Sequence, residues 1–335
     1  MPTFAPDVPI VQAPMAGGAS TPELAAAVCE AGALGFLAAG YKSTAQMRQE
    51  IERTRALTSR PFGMNLFVPT ADTPDQAELG AYAEAVGAEA RRLGVSLGRP
   101  EGGDDDFDAK VADLLADPPA VVSFTFGFPD AGLIRALRDQ GVTVVATVTS
   151  AQEARQASAA DVLCVQGQEA GGHRGSFTNA DAGDVGLDEL VARVRAVSRL
   201  PVIAAGGLAT AADVARVLAA GAVAAVAGTA FLLAREAGTS ATHRAALSDP
   251  RFTETAVTRA FTGRPARGLV NTFMSRYSAQ APAAYPHVHH LTAPLRRAAA
   301  ASGDAETLHL WAGASWRLAR EAPAAEIVAE LARRI

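Results

Sequence analysis

Apolar runs of five to seven residues recur along the first two-thirds of the chain, each ending abruptly in glycine or a polar residue. They cover residues 9–13, 34–39, 62–68, 120–126, 142–148, 161–165, 201–205 and 222–226. They are apolar at successive rather than alternate positions, as strands of a parallel sheet covered on both faces are. Most are followed by segments of helical period, at 22–29, 43–57, 131–140, 151–157, 187–197, 211–219 and 230–235. The first of these opens with Ser20, Thr21, Pro22 and Glu23, a hydroxyl cap, a first-turn proline and an early acid. Eight such strands with their helices predict an α/β fold, a (β/α)8 TIM barrel. An open doubly wound sheet competes, but it normally carries a glycine fingerprint after its first strand, and no Gly-x-Gly occurs here.

Two regions break the rhythm. Residues 74–93 read as helix, 98–106 as a glycine- and acid-rich loop, and 107–115 as a short helix. The run Asp104-Asp105-Asp106 reads as solvated loop. Beyond residue 240, segments 251–280 and 291–335 are helix-like, joined by a loop around 282–290. The expected organisation is a barrel over residues 1–240 with a helical insertion at 74–115. A mainly helical C-terminal lobe, residues 241–335, covers one end of it.

Composition narrows the function. Of 335 residues, 49% are hydrophobic and 19% charged, enough for a large core and without a disorder signature. A net charge of −5 with only short basic clusters excludes a nucleic-acid footprint or an anionic membrane surface. The start of the chain lacks a signal-peptide pattern and no run is long enough to span a bilayer, so a cytoplasmic location is expected. Cys29 and Cys164 sit in apolar contexts, as buried free thiols do, and two cysteines make no metal cluster. Lys42 and Lys110 are the only lysines; neither stands in a P-loop or ends a strand-like run, which excludes lysine-held nucleotide phosphates and Schiff-base chemistry.

In a barrel, chemistry sits on the loops at the carboxyl ends of the strands. Here these begin at Pro14-Met15, Asn65, Gly127, Gly167, Gly206-Gly207 and Gly228-Thr229. The loop from Gly167 to Gly175 holds Gly171, Gly172 and Gly175 around His173, a histidine able to titrate near neutrality. An ordinary loop with a surface histidine is the plain alternative. Gly206-Gly207 and Ala227-Gly228-Thr229 follow strands seven and eight, the usual phosphate loops of the fold, where amides and helix dipoles hold an anion without lysine.

Together, Gln12-Ala13-Pro14-Met15-Ala16-Gly17, Gly63-Met64-Asn65, Gln166-Gly167-x-Glu169-Ala170-Gly171-Gly172-His173-x-Gly175, Ala205-Gly206-Gly207, Ala227-Gly228-Thr229 and the late Leu310-Trp311-Ala312-Gly313 resemble the nitronate monooxygenase family, formerly 2-nitropropane dioxygenases. The resemblance implies an FMN-dependent barrel. Met15 would lie against the flavin ring, Asn65 and Gln166 would bond the ring or ribityl chain, and Gly171, Gly207, Gly228 and Thr229 would serve the ribityl and phosphate groups. For Asn65 and Gln166 a structural role, tying loops together, stands beside that reading. His173 would be the active-site histidine, either as a base or as the group that holds an anionic nitronate; the second is favoured, no other base being evident in the barrel loops.

The implied reaction oxidises alkyl nitronates of the propionate 3-nitronate type with O2, giving nitrite and a carbonyl compound. An FMN-dependent enoyl-thioester reductase using NAD(P)H is the alternative, and a flavin-binding scaffold without turnover is the third. The partners are a small nitronate or nitro compound and O2, with no nucleic acid or membrane; a homodimer stays open. Phe124, Phe126 and Phe128 are candidate pocket walls, and Tyr277 and Tyr285 candidate lids. The His287, His289 and His290 cluster has no carboxylate at ligand spacing and reads as a solvated cap loop rather than a metal site. Some family members place a lysine near the substrate; this chain has none between 302 and 309, and Arg264 or Arg267 is the candidate replacement.

Overall fold

Each apolar run forms a strand within a residue or two of its expected limits. These are β1 (Ile10–Gln12), β2 (Phe36–Ala38), β3 (Gly63–Phe67), β4 (Val121–Thr125), β5 (Thr143–Val148) and β6 (Val162–Gln166). After an additional two-residue strand, β7 (Gly172–His173), come β8 (Val202–Ala205) and β9 (Ala224–Ala227). The structure, a computed structural model, describes residues 6–70, 73–179 and 185–333. The sequence argument against a leader rests partly on residues 1–5, outside that set.

Eight strands pair in parallel in the order β1-β9-β8-β6-β5-β4-β3-β2. A parallel bridge from Val11 to Leu34 joins the two edges, and the Phe36 amide donates to Gln12 Oε1 at 2.9 Å across the same seam. The sheet is therefore a (β/α)8 barrel. Phe36, Val121, Val145, Val162, Ile203 and Val226 fill its interior. Phe36 fits only because its neighbour is Gly63, where a Cβ would stand 2.3 Å from the ring.

Around the strands run α1 (Pro22–Glu30), α2 (Thr44–Leu57), α5 (Ala131–Asp139), α6 (Ala151–Gln156), α7 (Leu187–Arg195) and α8 (Ala211–Ala219), the insertion between α2 and α5 supplying α3 (Gln76–Leu93) and α4 (Phe107–Ala116). Thr21, Ser43, Asp130, Ser150 and Thr210 cap their helices by accepting from first-turn amides, which fixes where each begins. Of the insertion, α4 packs on α2 in the barrel wall, whereas α3 packs away from the barrel. Asp105, expected to be solvated, binds Lys110 Nζ at 2.8 Å and accepts from the Tyr41 amide. Lys110 is only 1% exposed, so its buried charge required that carboxylate.

Three later expectations are corrected. The helix expected at 230–235 is a single 3-10 turn, Thr229–Phe231. The outer position between α8 and α1 is filled instead by α12 (Ala324–Leu331), whose Ile327, Val328 and Leu331 join the core that Leu24 and Val214 share. Residues 251–280, expected to be helical, contain two strands, β10 (Thr255–Thr258) and β11 (Ala266–Leu269), before α10 (Thr272–Tyr277). They form an antiparallel sheet in the order β10-β11-β7, so the loop carrying His173 is its third strand. Segment 282–290 is only partly loop, because α11 (His287–Ser302) begins at His287; α9 (Ala241–Ser248) completes the helices.

Leu79, Tyr82 and Val86 of α3 share a core with Phe261, Phe273, Val288, Leu291 and Leu295, and Tyr82 donates to the Ala260 carbonyl at 2.6 Å. Helix α3 and part of the C-terminal segment thus share one core, whereas α4 and α12 belong to the barrel wall. Among the described residues no helix is long and apolar enough to cross a membrane.

Candidate active site

The strand ends carry polar side chains where the runs stop being apolar. Asn65 of β3, Thr125 of β4, Thr147 of β5, and Cys164 and Gln166 of β6 form the floor of a cavity of about 480 Å³. Met15, Gly171, His173, Gly207, Gly228 and Thr229 line the same cavity, so the structure brings all eight residues singled out in the sequence together. The Cys164 thiol is pushed up to about 12 by burial, and both cysteines are free.

His173 is held from two sides. Its backbone sits in β7, paired with Ala266 of β11, and its Nε2 lies 2.9 Å from Thr262 Oγ1. Phe126, Tyr285 and Trp311 surround the ring at centroid distances of 5.8, 5.9 and 5.6 Å. Burial, with help from the charges of Arg264 and Arg296, depresses its pKa to about 3. The imidazole is therefore neutral at any ordinary working pH. It can offer one hydrogen bond or one lone pair, but not a positive charge.

Asn65 and Gln166 both make the structural ties considered above. Asn65 Nδ2 donates to Ser123 Oγ at 2.8 Å and Thr125 Oγ1 at 3.0 Å. Gln166 Nε2 donates to the His173 carbonyl at 3.0 Å, and its Oε1 accepts from the Gly175 amide at 2.7 Å. Gln166 thus closes the loop that carries the histidine. Gly171 is required by a close crossing, since a Cβ there would stand 2.5 Å from the Gly313 amide nitrogen. That passing segment latches the neighbouring loops: Gly313 N donates to Thr229 Oγ1 at 3.0 Å, and Ser315 Oγ donates to the Gly207 carbonyl at 2.7 Å.

The loops after β8 and β9 present a donor set. Gly207 adopts φ +67, and the amides of Gly207, Leu208, Thr229 and Ala230 donate to no acceptor among the described residues, although all four residues line the cavity. Leu208 and Ala230 are buried and Gly207 and Thr229 half-buried, and an oxyanion in the cavity is a suitable partner for such unmatched amides. The N-terminus of α8 itself is not available. Thr210 and Asp213 form a capping box there, and Asp213 Oδ2 accepts from the amides of Ala209 and Thr210. The expectation of a helix after the second loop is corrected, since that loop leads only into the 3-10 turn, and the loop amides are the donors that face the cavity.

Several candidates fall elsewhere. Phe124 is in the core behind the barrel, Phe128 packs against it, and only Phe126 of the three lines the cavity. Phe126 takes φ +76, a strained conformation for an aromatic residue. Tyr277 is in the lobe core with its hydroxyl 3.4 Å from Glu89, and Tyr285 stands behind Phe126, bonded to the Tyr41 hydroxyl at 3.4 Å. Arg264 stacks over Phe126 at 3.9 Å and donates to the Ser176 carbonyl, while Arg267 donates to the Gln168 carbonyl. Neither lines the cavity.

Arginines do reach it, from α11. Ala293, Arg296, Arg297 and Ala300 line the wall at helical spacing, within the segment 291–335 expected only to be helix-like. His289 also lines the cavity, its ring stacked on Tyr41 at 4.0 Å, instead of standing in a solvated loop. Tyr41, Thr262, His243 and His309 complete the set that sequence reasoning missed. Among the described residues, no aspartate or glutamate lines the cavity.

The nitronate monooxygenase family model matches residues 1–334. A probable nitronate monooxygenase of Staphylococcus aureus is 37% identical over 343 residues, covering 98% of this chain and 94% of its own. The solved nitroalkane oxidase of Streptomyces ansochromogenes superposes with a TM-score of 0.94 at 52% identity, covering 98% of this chain and 96% of that one. FabK of Thermotoga maritima is more distant, with a TM-score of 0.76 at 27% identity over 98% of this chain and 92% of its own.

Proposed function

The chain belongs to the nitronate monooxygenase family of flavin-dependent oxidoreductases, and from that premise we propose that it uses FMN and O2 to convert alkyl nitronates of the propionate 3-nitronate type into a carbonyl compound and nitrite. The observation that carries this reading is a cavity, without an acid among its described lining residues, that joins a nest of unmatched amides to a buried neutral histidine. The cavity suits a flavin mononucleotide in donor chemistry, offering amides for a phosphate at one end and side-chain amides at strand ends for a polar ring system. Bound there, the flavin supplies the redox chemistry, taking electrons from the nitronate and passing them to O2.

In this reading the amides around Gly207, Gly228 and Thr229 hold the phosphate. Met15 backs the ring, while Asn65 and Gln166 orient it from the floor, and Gly171 lets the chain pass close to the ribityl group. The tie from Gln166 to the His173 carbonyl also couples the floor to the histidine. His173 acts as a neutral imidazole, aimed by Thr262, that hydrogen-bonds a nitronate arriving already ionised. Phe126, Tyr285 and Trp311 enclose the ring and exclude water from it.

The test is the visible spectrum of purified protein before and after anaerobic addition of ethyl nitronate. A flavin band that bleaches with nitronate, with nitrite released once air is admitted, is the expected result. A colourless protein that binds no added FMN, or a flavin bleached by NADH or NADPH and indifferent to every nitronate, would overturn it. The latter outcome would instead favour the enoyl-thioester reductase.

A further inference from the structure

Buried arginines normally face a carboxylate, because an unpaired cation in a low-dielectric site costs several kcal/mol. Arg48 meets Asp113 at 2.8 Å, and the half-exposed Arg92 meets Glu89 and Asp304 at 2.6 Å. Arg296 is more deeply buried than either, at 8% exposure, yet no carboxylate lies within ion-pairing distance among the described residues. Its partners are all neutral: Nε donates to Thr292 Oγ1 at 3.1 Å, and Nη2 to the His289 carbonyl at 2.8 Å, with His289 Nδ1 at 3.1 Å. Nη1 has no acceptor among the described residues.

The guanidinium is held rigidly. Thr292 Oγ1 is itself anchored on the Phe261 carbonyl at 2.5 Å, and the His289 ring is stacked on Tyr41. Burial lowers the arginine to about 10, which still leaves it charged at neutral pH. The second lining arginine, Arg297, is exposed, where solvent screens it. The four lining histidines, His173, His243, His289 and His309, are all depressed by burial and carry no charge at neutral pH. Among the described residues, one desolvated positive charge therefore faces a cavity lined by no acid.

We propose that Arg296 is the specificity-determining counter-ion of the substrate, its charged guanidinium donating through Nη1, the nitrogen its internal ties leave open, to an anionic O–N–O head group. The inference rests on the nitronate reading of the same cavity and deepens it. A nitronate is anionic and forms a charge-assisted hydrogen bond with the guanidinium, whereas the parent nitroalkane is neutral and gains much less from it. His173, lacking charge, could not make that distinction. The arginine lies on α11, whereas the unmatched loop amides proposed to hold the cofactor phosphate follow β8 and β9.

The experiment compares flavin-loaded wild type with Arg296→Met and Arg296→Lys. Nitrate, an unreactive planar anion, is titrated by flavin absorbance and by calorimetry, and kcat/KM is measured for ethyl nitronate and for neutral nitroethane. Loss of a charge-assisted pair predicts about thirtyfold weaker nitrate binding in Arg296→Met, with an intermediate loss in Arg296→Lys, which keeps the charge without the ties to Thr292 and His289 that hold it in place. The preference for nitronate over nitroethane falls by at least about tenfold in Arg296→Met, and the flavin-to-protein ratio is unchanged. Nitrate affinity equal to wild type in either variant overturns the proposal, and so does flavin loss in step with anion loss, which assigns the arginine to the cofactor phosphate. If no nitronate turns over at all, the functional reading fails, while the nitrate titration still decides the role of Arg296.

Discussion

Lowering the pH from 7 to 5 should destabilise this protein by several kcal/mol, through histidines rather than carboxylates. His173 is depressed from 6.5 to about 3 and His243 from 6.5 to about 4, both chiefly by burial. Below pH 6.5 the unfolded chain binds protons at these positions that the folded chain refuses, so stability falls as pH falls through the window between 6.5 and the folded values. At pH 5 each group costs roughly 2 kcal/mol, about 4 kcal/mol for the pair. His289 and His309 are depressed for the same reason and add to the loss. A domain has only about 5–15 kcal/mol to lose. Carboxylates held low by arginines, such as Asp117, act at more acidic pH and leave this window clear. Urea unfolding at pH 7, 6 and 5 measures the effect, and nitrate should lessen the slope by raising the histidine pKa values. A free energy of unfolding that changes by less than about 1 kcal/mol between pH 7 and 5 would refute the picture of buried neutral histidines.

Three further outcomes follow from particular contacts. Gly171→Ala drives a Cβ into the backbone of residues 312–313 and should cost about 1–3 kcal/mol by thermal unfolding, with weaker flavin retention because the latch onto Thr229 and Gly207 shifts. Asp105→Asn leaves Lys110 buried without its counter-ion and should cost about 3–5 kcal/mol by urea denaturation, although the residue lies outside the cavity lining. Thr262→Val unties His173 Nε2 and should lower kcat by roughly tenfold or more at unchanged flavin content; an unchanged kcat would show that the β7–β11 pairing alone aims the ring.

The barrel was legible because a buried parallel strand needs several consecutive apolar residues, and those runs locate β1 to β6, β8 and β9 almost to the residue. The glycine-rich loops were legible too, and the residues named from them line one cavity. What was hidden depended on partners far along the chain. Gly172–His173 is too short to show a period as a strand, and it becomes one only against β11. Arg296 looks like any arginine on a helix surface; its partners His289 and Thr292 are themselves held by Tyr41 and Phe261, which sequence spacing does not bring near it. Asp105 looked solvated for the converse reason, since its partner Lys110 belongs to a helix whose buried face was not evident. Local pattern reports what a residue wants, whereas these residues are defined by what arrives beside them.

The placement of α12 also bears on the order of folding. The apolar faces of α1 and α8 stay uncovered until residues 324–331 arrive, nearly three hundred residues after α1 has been made. On a ribosome adding about 5–20 residues per second, that leaves the N-terminal helix waiting for tens of seconds. Once β9 has been made and can close on β1, roughly a hundred further residues must follow before α12 covers the adhesive seam beside that closure. A chain of this design depends on completion before it becomes safe from its neighbours, and it should be a natural client for chaperone protection during synthesis.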